Sequence, residues 1–185
     1  MKHIKNLVTK GLSGRIQELV FRHNHGRTYV ISSPSPSTVP ASEEQLQIRY
    51  TFKDAVRYAK AILIDPIVKA AYKAKANPWQ SAFNLAIADF FKPPTIGTID
   101  ASAYTAQAGS FISAQVTDDF QVASVEVRIE KANGQLIEAG AATLMEDGLH
   151  YRYTTTATVT NITGNKITFI AIDLPGHLVT QQITL

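Results

Sequence analysis

Cysteine is missing from all 185 residues. Its absence excludes disulfides, cysteine-bound zinc and a thiol nucleophile, and leaves the redox compartment open. Long apolar runs are missing too. The longest purely aliphatic stretch is Ala61 to Ile64, far short of the roughly 20 residues that a spanning helix requires. The opening MKHIKNLVTKGLSG is basic but leads into no apolar core of a secretory leader. The expectation is a cytoplasmic protein with no membrane partner, unless a machine that needs no cleavable signal exports it. Motifs that carry chemistry are equally scarce. There is no Gly-x-Ser-x-Gly elbow, no Walker loop and no pair of carboxylates on one strand face. A non-enzyme without cofactor is therefore expected.

What is present is unevenly spread. Residues 1–94 hold 14 Lys and Arg against 6 Asp and Glu, and residues 95–185 hold 4 against 9. A basic half joined to an acidic half predicts two units with different surfaces. The basic side is either a set of solvated helix faces or a docking surface for an acidic partner. Apolar residues make up 45% of the chain, which suits a folded protein rather than a disordered one.

Residues 1–33 read as a β-ribbon arm. RIQELVFR and RTYVIS flank HNHG, whose Asn24 and Gly26 tolerate positive φ, so a two-stranded hairpin is expected. Its alternation is poor. Leu19 and Phe21 are expected on one face, Ile16 and Val20 on the other, and Tyr29 and Ile31 opposite Val30. Such a ribbon cannot hide apolar groups on both faces by itself. Residues 34–41 follow as a tether in which Pro34, Pro36 and Pro40 favour an extended spacer.

Residues 42–92 change to a helical period. Ser42 and Gln45 form a capping-box pattern, with Glu43 and Glu44 suited to a helix N-terminus. Ile48, Phe52, Ala55, Val56, Ala59 and Ile62 make an apolar stripe. Asp65-Pro66 closes this helix and opens a second. Asn77-Pro78 is expected to open a third, striped by Trp79, Ala82, Phe83, Ala86, Ile87 and Phe90, before Pro93-Pro94 stops it.

Residues 95–185 shift to a period of two. Val125, Val127 and Ile129 alternate with charged residues. Ile112, Ala114 and Val116 do so with polar ones, as do Tyr151, Tyr153, Ala157 and Val159, and then Val179, Ile183 and Leu185. Asn133-Gly134 marks a hairpin turn. With a first strand near Ile99 to Tyr104, about seven strands are expected in an antiparallel sandwich. The fold class expected is α+β in two parts: the ribbon and helices, then an all-β sandwich.

The words AQVTDDFQVASVEVRI and ITFIAIDLPGH resemble those of bacterial immunoglobulin-like modules, with Ala171, Asp173 and Gly176 matching a corner between the last two strands and His177 standing where Asn is usual. The resemblance implies an immunoglobulin-like fold and a binding or spacing role. The first 95 residues are similar to an uncharacterised bacterial family with a Gly-rich start, an LVFR…GRTYV ribbon, a Pro/Ser stretch and a Gln…Arg…Phe helix. Here that last element is Gln45 or Gln47, Arg49 and Phe52. Neither resemblance implies a known activity.

Five candidate sites stand against plainer explanations. His23 and His25 can point to one side of a strand and hold a metal, or be solvated. Asp118, Asp119 and Asp173 can gather oxygen ligands at one end of the sandwich, or cap turns. Lys10, Gly11, Gly14 and Arg15 can clamp phosphate, although a strand follows where a helix is needed. Arg49, Lys53, Arg57 and Lys60 line one helix face, joined by Lys69, Lys73 and Lys75, and are the nucleic-acid candidate. Leu19, Val20, Phe21, Tyr29 and Val30 are the protein-docking candidate, because exposed strands with apolar faces favour pairing with another chain or another copy. The expected function is a non-catalytic assembly protein, by analogy a component or cargo of a phage-tail-like or contractile injection particle. A nucleic-acid-binding accessory protein is the alternative.

Overall fold

A computed structural model describes residues 12–24, 27–33, 35 and 38–185. His25, Gly26, Lys10, Gly11, Pro34 and Pro36, on which parts of the hairpin tip, phosphate and tether readings rest, lie outside the described residues. The chain divides into two compact units, Met1–Tyr50 and Thr51–Leu185.

The first unit contains β1 (Gly14–Ile16), β2 (Leu19–Asn24) and β3 (Arg27–Ser32), hydrogen-bonded antiparallel in the order β1-β2-β3. The expected two-stranded hairpin is thus a three-stranded meander. The reason is a turn at Gln17-Glu18, where Gln17 adopts φ 53°. Non-glycine residues rarely take that conformation, so turn chemistry did not announce it. The turn also corrects one facing. Ile16 pairs with Leu19 and Phe21 with Val30, and directly opposed residues share a face. Ile16, Leu19, Phe21 and Val30 therefore lie on one side, and Val20, Tyr29 and Ile31 on the other.

The helix α1 (Glu43–Ile62) begins in the first unit and ends in the second. Its start is the expected capping box. The Ser42 backbone N–H donates to Gln45 Oε1, and the Gln45 N–H donates to Ser42 Oγ, both at 3.3 Å. Further along, Ala55 and Ala59 are buried. Ile48 and Phe52 are exposed, so the apolar stripe is covered only along its C-terminal half.

In the second unit, Asp65 accepts from the Ile67 N–H at 2.7 Å and caps α2 (Pro66–Lys75) with proline in the first turn, as expected. The third helix differs from expectation. Asn77 Oδ1 accepts from the Trp79 N–H at 3.0 Å, which closes a turn rather than a helix. The cap is Ser81, and α3 runs over Ala82–Asp89. Trp79 is consequently 68% exposed and no part of the helical core. That core is Ala59, Tyr72 and Ala86, with Phe83 and Ile87 packed against it.

Eight strands follow: β4 (Thr95–Asp100), β5 (Phe111–Thr117), β6 (Val122–Glu130), β7 (Leu136–Ala141), β8 (Thr143–Leu144), β9 (His150–Thr154), β10 (Lys166–Asp173) and β11 (Leu178–Thr184). They form two four-stranded antiparallel sheets, ordered β4-β5-β9-β8 and β11-β10-β6-β7. Relabelled in chain order, this is the A-B-E-D and G-F-C arrangement of an immunoglobulin-like sandwich with one added edge strand. Two expectations need correction. The first strand is Thr95–Asp100, not Ile99 to Tyr104, because a bulge between Ile96 and Ile99 turns both isoleucines to the core and hides the period of two. The run through Ala157 and Val159 is not strand, because side chains engage its backbone: the Thr156 and Ala157 N–H groups donate to Glu138 Oε2 at 2.8 and 3.2 Å. Between the sheets lie Ile112, Val127, Ile129, Ile167 and Phe169, all without exposed surface. Each contributes about 1.5–3 kcal/mol by leaving water.

The helices are seated on this sandwich. Phe120, after β5, and Leu174, after β10, pack into the helical core. The Phe120 ring stacks on Tyr72 at 3.6 Å between centroids, and Lys75 Nζ donates to the Phe120 carbonyl at 2.6 Å.

Candidate interaction surface

Each face of the β1-β2-β3 sheet carries side chains that water reaches. On one face Ile16 is 59% exposed, and Leu19 and Val30 are exposed beside it; on the other face Tyr29 and Ile31 are exposed. Val20 and Phe21 are half-buried. Cations share the second face, since Arg15 pairs with Val20 and Arg22 with Tyr29 across the strands. Arg15 Nε donates to the Gln17 carbonyl at 2.8 Å, which holds its guanidinium beside the turn. His23 lies on the opposite side, with Nδ1 3.2 Å from Thr28 Oγ1. The sequence-derived docking residues are thus gathered on one small sheet, on two faces of different character. One is apolar, and the other is apolar with a cationic border.

Beyond the sheet, Leu46, Ile48 and Tyr50 at the start of α1 are exposed as well. Arg49, Lys53, Arg57 and Lys60 are all exposed along the same helix, and Arg57 pairs with Asp54 at 3.1 Å. Lys69 and Lys73 are exposed on α2, whereas Lys75 is drawn onto Phe120. Sequence reading missed Ile64 and Ile67, which are about four-fifths exposed at the α1–α2 corner. The signal was available: they flank Asp65-Pro66, and a residue beside a helix-helix corner is not held by either stripe.

The carboxylates at the helical end of the sandwich do turn work. Asp118 Oδ2 accepts from the Phe120 and Gln121 N–H groups at 2.7 and 2.8 Å. Asp173 Oδ1 accepts from the Gly176 and His177 N–H groups at 2.8 and 2.6 Å, and its Oδ2 lies 2.6 Å from His177 Nδ1. Gly176, at φ 95°, supplies the left-handed residue that this corner requires. Asp119 pairs with Lys92. Among the described residues, no three His, Asp or Glu side chains are grouped so that they can hold a metal ion. At the β8–β9 turn, Asp147 accepts from the Leu149 and His150 N–H groups and meets His150 Nδ1 at 2.6 Å. These bonds, the His150 amide first, hold its carboxyl down at about 2. No helix among the described residues is long and apolar enough to cross a membrane.

No protein-family model and no curated protein matches the chain. Solved structures similar to it include CopC from Methylosinus trichosporium OB3b, at 17% identity and TM-score 0.36, covering 48% of this chain and 87% of that one. A tetra-tandem repeat in the extending region of a large adhesion protein is similar at 25% identity and TM-score 0.34, covering 50% of this chain. The match spans 22% of that adhesion protein chain.

Proposed function

We propose that this is a non-catalytic assembly protein whose N-terminal sheet joins it to another polypeptide, a second copy of the chain in the purified protein. The observation that carries the reading is the exposure of Ile16, Leu19, Val30, Tyr29 and Ile31 on both faces of one three-stranded sheet. A covering layer would take this apolar surface out of water, at about 25 cal/mol per Å² buried. Charge favours a second copy as the cover, because the basic first half finds its complement in the acidic residues 95–185. The immunoglobulin-like sandwich serves as a spacer or platform, and a phage-tail-like or contractile injection particle is the setting proposed by analogy.

The runner-up reading, nucleic-acid binding by Arg49, Lys53, Arg57 and Lys60, is favoured by their exposure on one helix. Salt separates the two. Binding by phosphate neutralisation loses roughly a thousandfold in affinity between 50 and 200 mM salt for about six contacts. Self-association through apolar strands, with surface charge only steering it, weakens far less over the same range. Light scattering together with gel shifts on random DNA and RNA at the two salt concentrations tests this. A mass above that of one chain at both concentrations, with no shifted nucleic acid, supports the assembly reading. A single-chain mass with a salt-sensitive shift overturns it.

A further inference from the structure

Asp89, the last residue of α3, is 1% exposed at the seam between the helices and the sandwich. One hydroxyl reaches it: Tyr72 O–H lies 2.7 Å from Oδ2, and Tyr58 O–H lies 3.0 Å from the Tyr72 oxygen. No hydrogen-bond partner reaches Oδ1 among the described residues, and Asp118 Oδ1 nearby is buried without a partner as well. The charged groups around the seam are engaged elsewhere. On α2, Lys75 is spent on the Phe120 carbonyl. After α3, Lys92 is spent on Asp119. At the corner after β10, His177 is spent on Asp173. Asp89 thus faces Tyr58 from α1, Tyr72 from α2, Asp118 from the turn after β5, and Asp173 with His177 from the corner after β10, with no cation bonded to it. A carboxylate buried with one donor and two acidic neighbours is strongly disfavoured in its charged form.

We infer that Asp89 is a proton-operated latch between the helices and the end of the sandwich: the protonated carboxyl closes the seam and the charged one loosens it. Burial, followed in size by the Tyr72 hydrogen bond that opposes it and by repulsion from Asp118 and Asp173, leaves this carboxyl pushed up to about 6. Because the closed-state value lies above the open-state one, the latch's contribution is full below about pH 4 and is lost as pH rises through about 6.

The test is amide hydrogen exchange of α3 in the full chain at pH 5 and pH 8, corrected for intrinsic rates, in the wild type and Asp89→Asn. The wild-type opening equilibrium is expected to be about tenfold more favourable at pH 8 than at pH 5, and Asp89→Asn should flatten that dependence. An unchanged pH dependence in the variant overturns the latch. The side-chain carboxyl 13C resonance of Asp89 in the wild type gives a second reading that needs no variant. A midpoint near 6 supports the latch and one near 4 overturns it.

Discussion

Val127 sits in the middle of β6 with no exposed surface, and its neighbours Glu126 and Arg128 face water. An aspartate there has no partner in the core. Val127→Asp is expected to cost about 3–5 kcal/mol in urea unfolding; wild-type unfolding would contradict the strand facing. Glu138 makes the converse case, a buried carboxylate whose Oε2 is well supplied with donors, although its Oε1 has no partner among the described residues. Its Oε2 accepts from Tyr153 O–H at 3.1 Å and from three groups of Thr156 and Ala157 at 2.8–3.2 Å. Glu138→Ala strands those donors and is expected to cost about 3 kcal/mol by the same measurement. The alternation around Val127 and the Asp173–Gly176 corner were both readable in the sequence, because period-two burial and turn chemistry are local. The roles of Glu138 and Asp89 were not. Glu138 meets donors 15 to 19 residues away, and Asp89 meets Tyr72 across the α2–α3 connection. No spacing rule predicts such encounters.

At the scale of elements, local signals succeeded wherever one residue both starts and fixes the element. Ser42 with Gln45, Asp65 before Pro66, and Asn133-Gly134 all do what their chemistry predicts. They failed where two devices compete. Asn77 captures the Trp79 amide and delays α3 to Ser81, and the bulge in β4 lets residues three apart face the same core. The meander was hidden by a turn at Gln17, a residue type that rarely signals one. These corrections alter which residues share a face of the proposed docking element. Leu19 and Phe21 now stand with Ile16 and Val30. Replacing Leu19 and Phe21 together by serine touches nothing in the sandwich core. The melting of the second unit is expected to stay within about 0.5 kcal/mol of wild type, read by calorimetry. A larger loss would mean that the ribbon supports the sandwich.

For the whole molecule, the division between compact units falls at Tyr50/Thr51, inside α1, whereas the charge split and the change of period fall near residue 94. The second unit buries a complete sandwich core and a small helical core. The first has no buried apolar side chain among its described residues. In the proposed reading that element gains stability from the copy it binds. The most direct measurement is the mass of the full chain by size-exclusion with light scattering over a range of concentrations, beside the Leu19→Ser/Phe21→Ser variant. The wild-type mass is expected to climb above the 20.2 kDa of one chain as concentration rises, while the variant remains at 20.2 kDa. A wild type that remains at the mass of one chain throughout would contradict the assembly reading.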